Sequence, residues 1–439
     1  MSDPTTEPNP DLSQPDPTQP DPKPFGEREF DLVLYGATGF VGKLTAEYLA
    51  KAAPPQARVA LAGRTAEKLA RVRAELGAPA QDWGIVVADA SNEADLADLA
   101  ARTRVVVTTV GPYAQYGLPL VAACARAGTH YADLTGEVLF VRETIDRYQE
   151  QAQASGARIV HSCGYDSVPS DLSVYATYRQ AVADDTGELE DATLVATVKG
   201  GVSGGTIASI RGQVESSLTD RTLLKQMGDP YALSPDRSVE SDLGRQSDQT
   251  LRPAKTIDPS LEGWVATFVM AAYNTRIVRR SNALMGWAYG KDFRYQEVMD
   301  TGKSPASPVI ATAISGGLVA GLGAVALLSR GPGKKLLDRV LPKPGSGPSE
   351  ETRRTGWFRM QTYTRTTSGA KYLTTFAGKG DPGYAATSVM LGESGLALAF
   401  DEDKLSDVRG IATPATVLGD ALIDRLRAAG FTITVERRS

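Results

Sequence analysis

An α/β fold of the Rossmann type is predicted for this chain by three observations. Asp31 to Gly42, DLVLYGATGFVG, runs an apolar segment into three glycines and then into an amphipathic stretch. Arg58 to Gly63, RVALAG, adds a second apolar segment that stops at Arg64. Beyond it, short β-branched runs alternate with helical periods as far as Asp171. Strand, turn, helix and strand make a βαβ unit, and repeating the unit builds an open parallel sheet with helices on its faces.

The first 28 residues are rich in Pro, Asp, Thr and Gln and have almost nothing to bury, so a disordered tail is expected. The nucleotide-binding domain then spans residues 29–165. In its first turn Gly36 permits the tight bend, Gly39 lets the backbone approach a pyrophosphate, and Gly42 lets the helix sit close to the strand. Thr38, Phe40 and Val41 complete the turn and the helix start, where free amides suit a phosphate. A dinucleotide fold meets the adenosine ribose at the end of its second strand, with an acid for a free 2′-hydroxyl or an arginine for a 2′-phosphate. Arg64 stands there and no acid follows until Glu67, which favours NADP(H) over NAD(H). Thr65 to Gly77 has helical periodicity. Ile85 to Ala88 reads as a strand that ends in Asp89, beside the expected adenine ring.

Glu93 to Arg102 reads as helix, and Val105 to Val110 as a fourth strand that opens into Gly111, Pro112 and Tyr113. The tip of that strand belongs to the nicotinamide side of such folds. Gly111 and Pro112 are therefore expected against the cofactor, with the phenols of Tyr113 and Tyr116 near the point of hydride transfer. A Pro-Tyr pair that only caps the strand reads equally well. A helix at Leu118 to Ala127, a strand at His130 to Glu137, a helix at Leu139 to Ser155 and a sixth strand from Arg158 follow. The next loop brings Tyr165, Asp166 and Ser167 to the same sheet edge. Tyr113, Tyr165 and Asp166 are the candidate catalytic residues, with Glu137 or Asp166 as a group that orients a phenol or caps a helix.

At 439 residues the chain has room for at least two cores. A net charge of −5 leaves no basic face for nucleic acid. The only histidines are His130 and His161 and the only cysteines Cys124 and Cys163, so neither a metal site nor a disulfide framework is expected. His161 and Cys163 share a strand face, a spacing that fits packing better than an activated thiol. The opening residues hold no apolar signal-peptide core, which makes the cytoplasm the expected compartment.

GATGFVG from Gly36, LAGR from Leu61, VGPY from Val110, YADLTGE from Tyr131 and CGYDSVPSDL from Cys163 together resemble the saccharopine dehydrogenase-like oxidoreductases. KGGVSGGTIAS from Lys199, NTRIVRRSNAL from Asn274 and DPGYAATSVMLGESGLALA from Asp381 are similar to one branch, the trans-acting enoyl reductases of actinobacterial cell-envelope lipid synthesis. The resemblance spans everything after the tail. It implies a second α/β domain with a mixed sheet over 166–380, and a segment 381–439 that returns to the Rossmann domain. Leu194 to Lys199, Met360 to Thr367 and Tyr372 to Gly378 alternate as its strands would. Thr413 to Ala429 reads as an amphipathic helix before a last strand at Phe431 to Val435. The implied activity is NADPH-dependent reduction of a carbon-carbon double bond in a lipid or polyketide intermediate carried on an acyl-carrier domain, in trans with a polyketide synthase. Gly200 to Thr206 would be a substrate-side loop. Two other readings stand beside it. One is an amino-acid carbon-nitrogen oxidoreductase with Arg276, Arg279 and Arg280 as a carboxylate clamp; the other is a non-catalytic NADP-binding scaffold on a lipid surface.

Pro308 to Leu328, PVIATAISGGLVAGLGAVALL, carries no charge, and Arg330, Lys334, Lys335 and Arg339 follow it. The run is expected to form a peripheral helix that touches lipid at the inner face of the plasma membrane. A buried helix, or one that pairs two copies in a homodimer through Gly317 and Gly321, is the alternative.

Overall fold

The computed structural model describes residues 24–200, 209, 211–213, 215, 220–328 and 349–438. The tail up to residue 23, the glycine-rich loop after Gly200, and Arg330, Lys334, Lys335 and Arg339 lie outside them.

Two seven-stranded sheets organise these residues. The first holds β1 (Phe30–Tyr35), β2 (Val59–Gly63), β3 (Gly84–Val87), β4 (Thr103–Thr108), β5 (His130–Ala132), β6 (Arg158–Val160) and β13 (Gly410–Ala412). They lie in the order β13-β6-β5-β4-β1-β2-β3, and every pairing is parallel. Every residue of β1 is buried because helices cover both faces. On these faces lie α1 (Phe40–Ala52), α2 (Ala66–Leu76), α3 (Glu93–Ala101), α4 (Tyr113–Ala127) and α5 (Val138–Ser155). The strand order reverses between β1 and β4, and that crevice is where a doubly wound fold takes its ligand.

The second sheet is mixed, as the resemblance implies. It holds β7 (Leu189–Lys199), β8 (Arg252–Pro253), β9 (Trp264–Thr267), β10 (Arg294–Asp300), β11 (Trp357–Thr366), β12 (Lys371–Lys379) and β14 (Thr432–Arg438). β10 runs parallel to β7, and β11 antiparallel to it. Buried helices α6 (Val168–Ala183) and α8 (Ala271–Leu284) pack on this sheet and against each other. The shorter α7 (Arg221–Gly228) and the long α9 (Ser307–Leu328) belong to connections, as does α10 (Glu350–Thr355).

The C-terminal residues serve both sheets. Nearly all of α11 (Thr387–Phe400) is buried under the Rossmann sheet. Its close approach depends on small residues: a Cβ on Gly395 would lie 2.4 Å from Val107 Cγ2, and one on Gly392 2.7 Å from Tyr48 Cδ1. β13 then extends the first sheet beside β6, whereas β14 pairs with β12 of the second. The single helix expected over Thr413 to Ala429 is two, α12 (Pro414–Val417) and α13 (Gly419–Ala428), because Gly419, which opens the second, takes a φ of +36°. The strand expected over His130 to Glu137 stops at Ala132. Beyond that point the backbone amides of Thr135 and Glu137 turn to the side chains of Asp133 and Thr135 instead of a neighbouring strand.

Candidate functional site

A cleft of about 1660 Å³ opens at the carboxyl ends of β1, β2 and β4 and continues between the two sheets. A drug-sized ligand needs roughly 300–1,000 Å³. This volume has room for a dinucleotide and a second molecule.

At one end the backbone makes the site. Gly36 has a φ of +88°, and a Cβ there would lie 2.8 Å from Thr109 Oγ1 and from Val110 Cγ2. A Cβ on Gly42 would come within 2.1 Å of the Gly36 carbonyl oxygen. Gly39 differs, since its Cβ would meet only that same oxygen, at 3.3 Å. The side chain missing at Gly39 therefore leaves room for a ligand more than for the protein itself. Gly39 is also the N-cap of α1, with no side-chain cap and no acid in the first turn. The amides of Phe40, Val41 and Gly42 stay available to an anion. Thr38 lines the same wall.

Arg64 and Asp89 face this end from the tips of β2 and β3. Ser91 holds Asp89 Oδ1 through its amide at 2.9 Å and its hydroxyl at 2.7 Å, which keeps the carboxyl below its ordinary range. Arg64 is exposed, and among the described residues no hydrogen bond claims its guanidinium. Free amides, an open Gly39 and an uncommitted cation fit a dinucleotide with a 2′-phosphate.

Gly111 and Pro112 also line the cleft. Tyr113 is not a loop residue: Pro112 is the N-cap of α4, and Tyr113 opens the helix. Glu137 caps it, accepting from the amides of Tyr113 at 3.0 Å and Ala114 at 2.8 Å. The donor role expected of Tyr113 is therefore corrected. Its buried hydroxyl donates to the Thr108 carbonyl at 3.2 Å and accepts from the Leu134 amide at 3.1 Å, so no proton is left for a ligand. Tyr165 turns its hydroxyl to the Met360 sulfur at 3.4 Å, and Ser167 donates to Asn274 Oδ1. Tyr116, one turn into α4, lines the cleft with no hydrogen-bond partner among the described residues.

Two carboxylates at neighbouring strand tips have opposite surroundings. Asp133 is fully buried and saturated, accepting from Tyr131 Oη, the amides of Ser162 and Thr135, and facing His161 Nδ1 at 2.7 Å. Asp166 lines the cleft, and no other side chain among the described residues bonds to it. Burial pushes its carboxyl up to about 8, the Asp133 charge adds to the rise, and its own backbone amide offsets only part of it. The rise favours the protonated form of Asp166 at neutral pH, and its side chain opens to the cleft. His161 spends its second nitrogen on Thr144 Oγ1, and burial holds the Cys163 thiol protonated, so the pair makes no activated thiol.

The arginine clamp is also overturned. Arg276 reaches the cleft already paired with Asp248, Arg279 donates to the Tyr295 carbonyl, and Arg280 to the carbonyls of Leu233 and Ile411. Sequence reasoning missed the rest of this end. Leu318 and Leu322 of α9, Met299 at the end of β10 and Met227 of α7 wall it with apolar surface.

The cofactor cradle fits the class of NADP-dependent oxidoreductases, and the chain's relatives agree. Residues 32–160 match the model of the saccharopine dehydrogenase NADP-binding domain family. A Mycobacterium tuberculosis protein with the provisional name trans-acting enoyl reductase is 56% identical over 417 residues, covering 93% of this chain and 98% of its own length. The trans-acting enoyl reductase of Mycobacterium ulcerans is 51% identical over 415 residues, covering 94% of this chain and 99% of its own. The chain belongs to this family. Among solved structures, apo saccharopine dehydrogenase (L-Glu forming) from Saccharomyces cerevisiae covers 93% of this chain and 99% of its own at 12% identity and a TM-score of 0.49.

Proposed function

We propose that the protein reduces the carbon-carbon double bond of an α,β-unsaturated thioester, presented on an acyl-carrier domain by a polyketide-type synthase that acts with it in trans. The observation that carries this reading is Asp166, a carboxyl at the cleft wall with no side-chain partner among the described residues, its pKa raised by burial. Reduction of a conjugated double bond needs a proton at the α-carbon and a donor for the carbonyl oxygen as it gains charge. When bound, the reduced nicotinamide supplies the hydride. Asp166 holds the proton for the α-carbon. Tyr116 is the phenol free to donate to the oxygen, a role for which Tyr113 and Tyr165 have no spare hydrogen or no suitable direction. Gly39 and the amides after it would hold the pyrophosphate, and Arg64 the 2′-phosphate. The apolar wall of Leu318, Leu322 and Met299 suits an acyl chain better than a zwitterionic amino acid, and Arg276, Arg279 and Arg280 are committed to other partners.

Single-turnover oxidation of NADPH with an enoyl thioester on a carrier protein tests the reading, with the saturated product identified by mass. Oxidation with a 2-oxo acid and an amino acid, and none with enoyl thioesters, would replace it by carbon-nitrogen chemistry. Tight NADPH binding without turnover on either would leave the scaffold.

A further inference from the structure

Helix α9 has two faces that do different things. Ser307, Ala311, Ser315, Leu318, Leu322 and Ala326 recur every third or fourth residue and form one stripe. The stripe faces the protein. Ser307 Oγ accepts from the Trp264 amide at 2.7 Å, Ser315 Oγ accepts from the Thr267 amide at 3.1 Å, and Leu318, Leu322 and Ala326 line the cleft. Much of the rest of the perimeter is exposed among the described residues. Val309 is 71% exposed, Val319 53% and Leu327 78%. Between Pro308 and Leu328 the only polar residue on that outer perimeter is Thr312, whose hydroxyl bonds back to the Pro308 carbonyl at 2.8 Å.

We propose that α9 seats this outer face in one leaflet of a phospholipid bilayer, and that the cleft opens along the same surface. The apolar part of the substrate then reaches the catalytic end from the membrane side, past Leu318 and Leu322. A helix that pairs with a second copy keeps polar residues beside its contact stripe, whereas on its outer perimeter α9 shows water a single polar side chain, Thr312, whose hydroxyl is turned back to its own backbone. Its 22-residue length and mean hydropathy of 2.0 over an 18-residue window are compatible with hydrocarbon, and with 6% of that window buried it is not the core helix of this fold. A transmembrane course is ruled out by the inner stripe: β9 and the polar cleft would be drawn into hydrocarbon with it. α9 is therefore a wall shared by the bilayer and the site. Only the nature of the substrate tail rests on the proposed enoyl reduction; the seating of α9 does not.

Flotation of the full-length protein with vesicles of phosphatidylcholine and phosphatidylglycerol tests the seating. The V319K/L327K double variant should lose at least about tenfold in vesicle partitioning, because burial of each side chain is worth roughly a tenfold factor. NADPH affinity should not change, which also reports that the variant folds; V309K is the independent single substitution with the same expectation. Reduction of a short soluble enoyl thioester should be unchanged in both, while reduction of a long-chain substrate embedded in vesicles falls in step with partitioning. Wild-type protein that does not float, or variants that float equally well, would overturn the proposal. Loss of a concentration-dependent dimer in V319K/L327K, without wild-type flotation, would assign the face to a second copy instead. Failure of enoyl reduction with flotation intact would strike the substrate reading alone.

Discussion

The two ends of the cleft are made of opposite materials. The cofactor end uses backbone: glycines at 36, 39 and 42, the free amides opening α1, and one uncommitted cation, Arg64. The catalytic end uses side chains brought from distant segments, and nearly every polar one is already paired. Arg276 holds Asp248, Asp133 holds His161, and Glu297 accepts from Tyr295 at 2.9 Å and Asn274 at 2.9 Å. Against that background Asp166 and Tyr116 face the cleft with no side-chain partner among the described residues, a condition that Arg245 and Gln249 share. A diffuse anion is suited by many weak fixed dipoles, whereas one proton transfer needs a single group whose environment has been emptied around it.

The sharpest way to break this contrast is Asp166→Asn. It removes the proton from the catalytic end and leaves the cofactor end intact. Single-turnover NADPH oxidation with an enoyl thioester should fall about 10²- to 10⁴-fold, the usual contribution of a positioned general acid. NADPH affinity should stay as in the wild type. The pH dependence gives the sign independently. Only the protonated carboxyl can donate, so the wild-type rate should hold below about pH 8 and decline above it as Asp166 ionises, and that limb should vanish in Asp166→Asn. An unchanged limb in the variant would assign the proton to another group.

How legible each end was in the sequence follows from the same difference. DLVLYGATGFVG and the arginine after RVALAG are local: the turn, the helix start and the cation lie within 34 residues, from Asp31 to Arg64. The catalytic end depends on contacts across the chain. The parallel pairing of β10 with β7 and the antiparallel pairing with β9 bring Met299, Val198 and Thr267 to one wall, and no window of residues reports such a register. Arg276, Arg279 and Arg280 look like a clamp in one dimension and do share one helix face, but each guanidinium is claimed by a partner from a different segment. Asp166 was visible as a candidate, but its isolation was not, because isolation is a property of what the neighbours bind. The apolar run of α9 was plain from composition; which stripe faces the cleft came only from its packing on β9.

Arg64→Ala should act at the other end alone. A charge-assisted bond to a phosphate is worth about 1.5–3 kcal/mol, and solvent around an exposed guanidinium brings the expectation to the lower end, about tenfold in NADPH affinity. NADH affinity should barely move. Equal losses for the two cofactors, measured by fluorescence titration, would separate Arg64 from the 2′-phosphate and make the cradle's selectivity a property of its amides.

The smallest expected effect tests the joint between the ends. Tyr113 Oη ties the β4 carbonyl of Thr108 to the Leu134 amide after β5, so it sits where the backbone site passes into the side-chain site. Tyr113→Phe leaves the half-buried Leu134 amide without its acceptor, a loss of about 1 kcal/mol of stability. It should appear as a lower urea midpoint with the single-turnover rate nearly unchanged. Tyr116→Phe should give the reverse, an unchanged midpoint and a slower chemical step, because that phenol supports nothing in the fold and faces the cleft. If Tyr113→Phe instead slowed turnover at constant stability, its hydroxyl would have to leave Thr108 when substrate arrives, and the boundary between scaffold and chemistry would shift one helical turn towards β4.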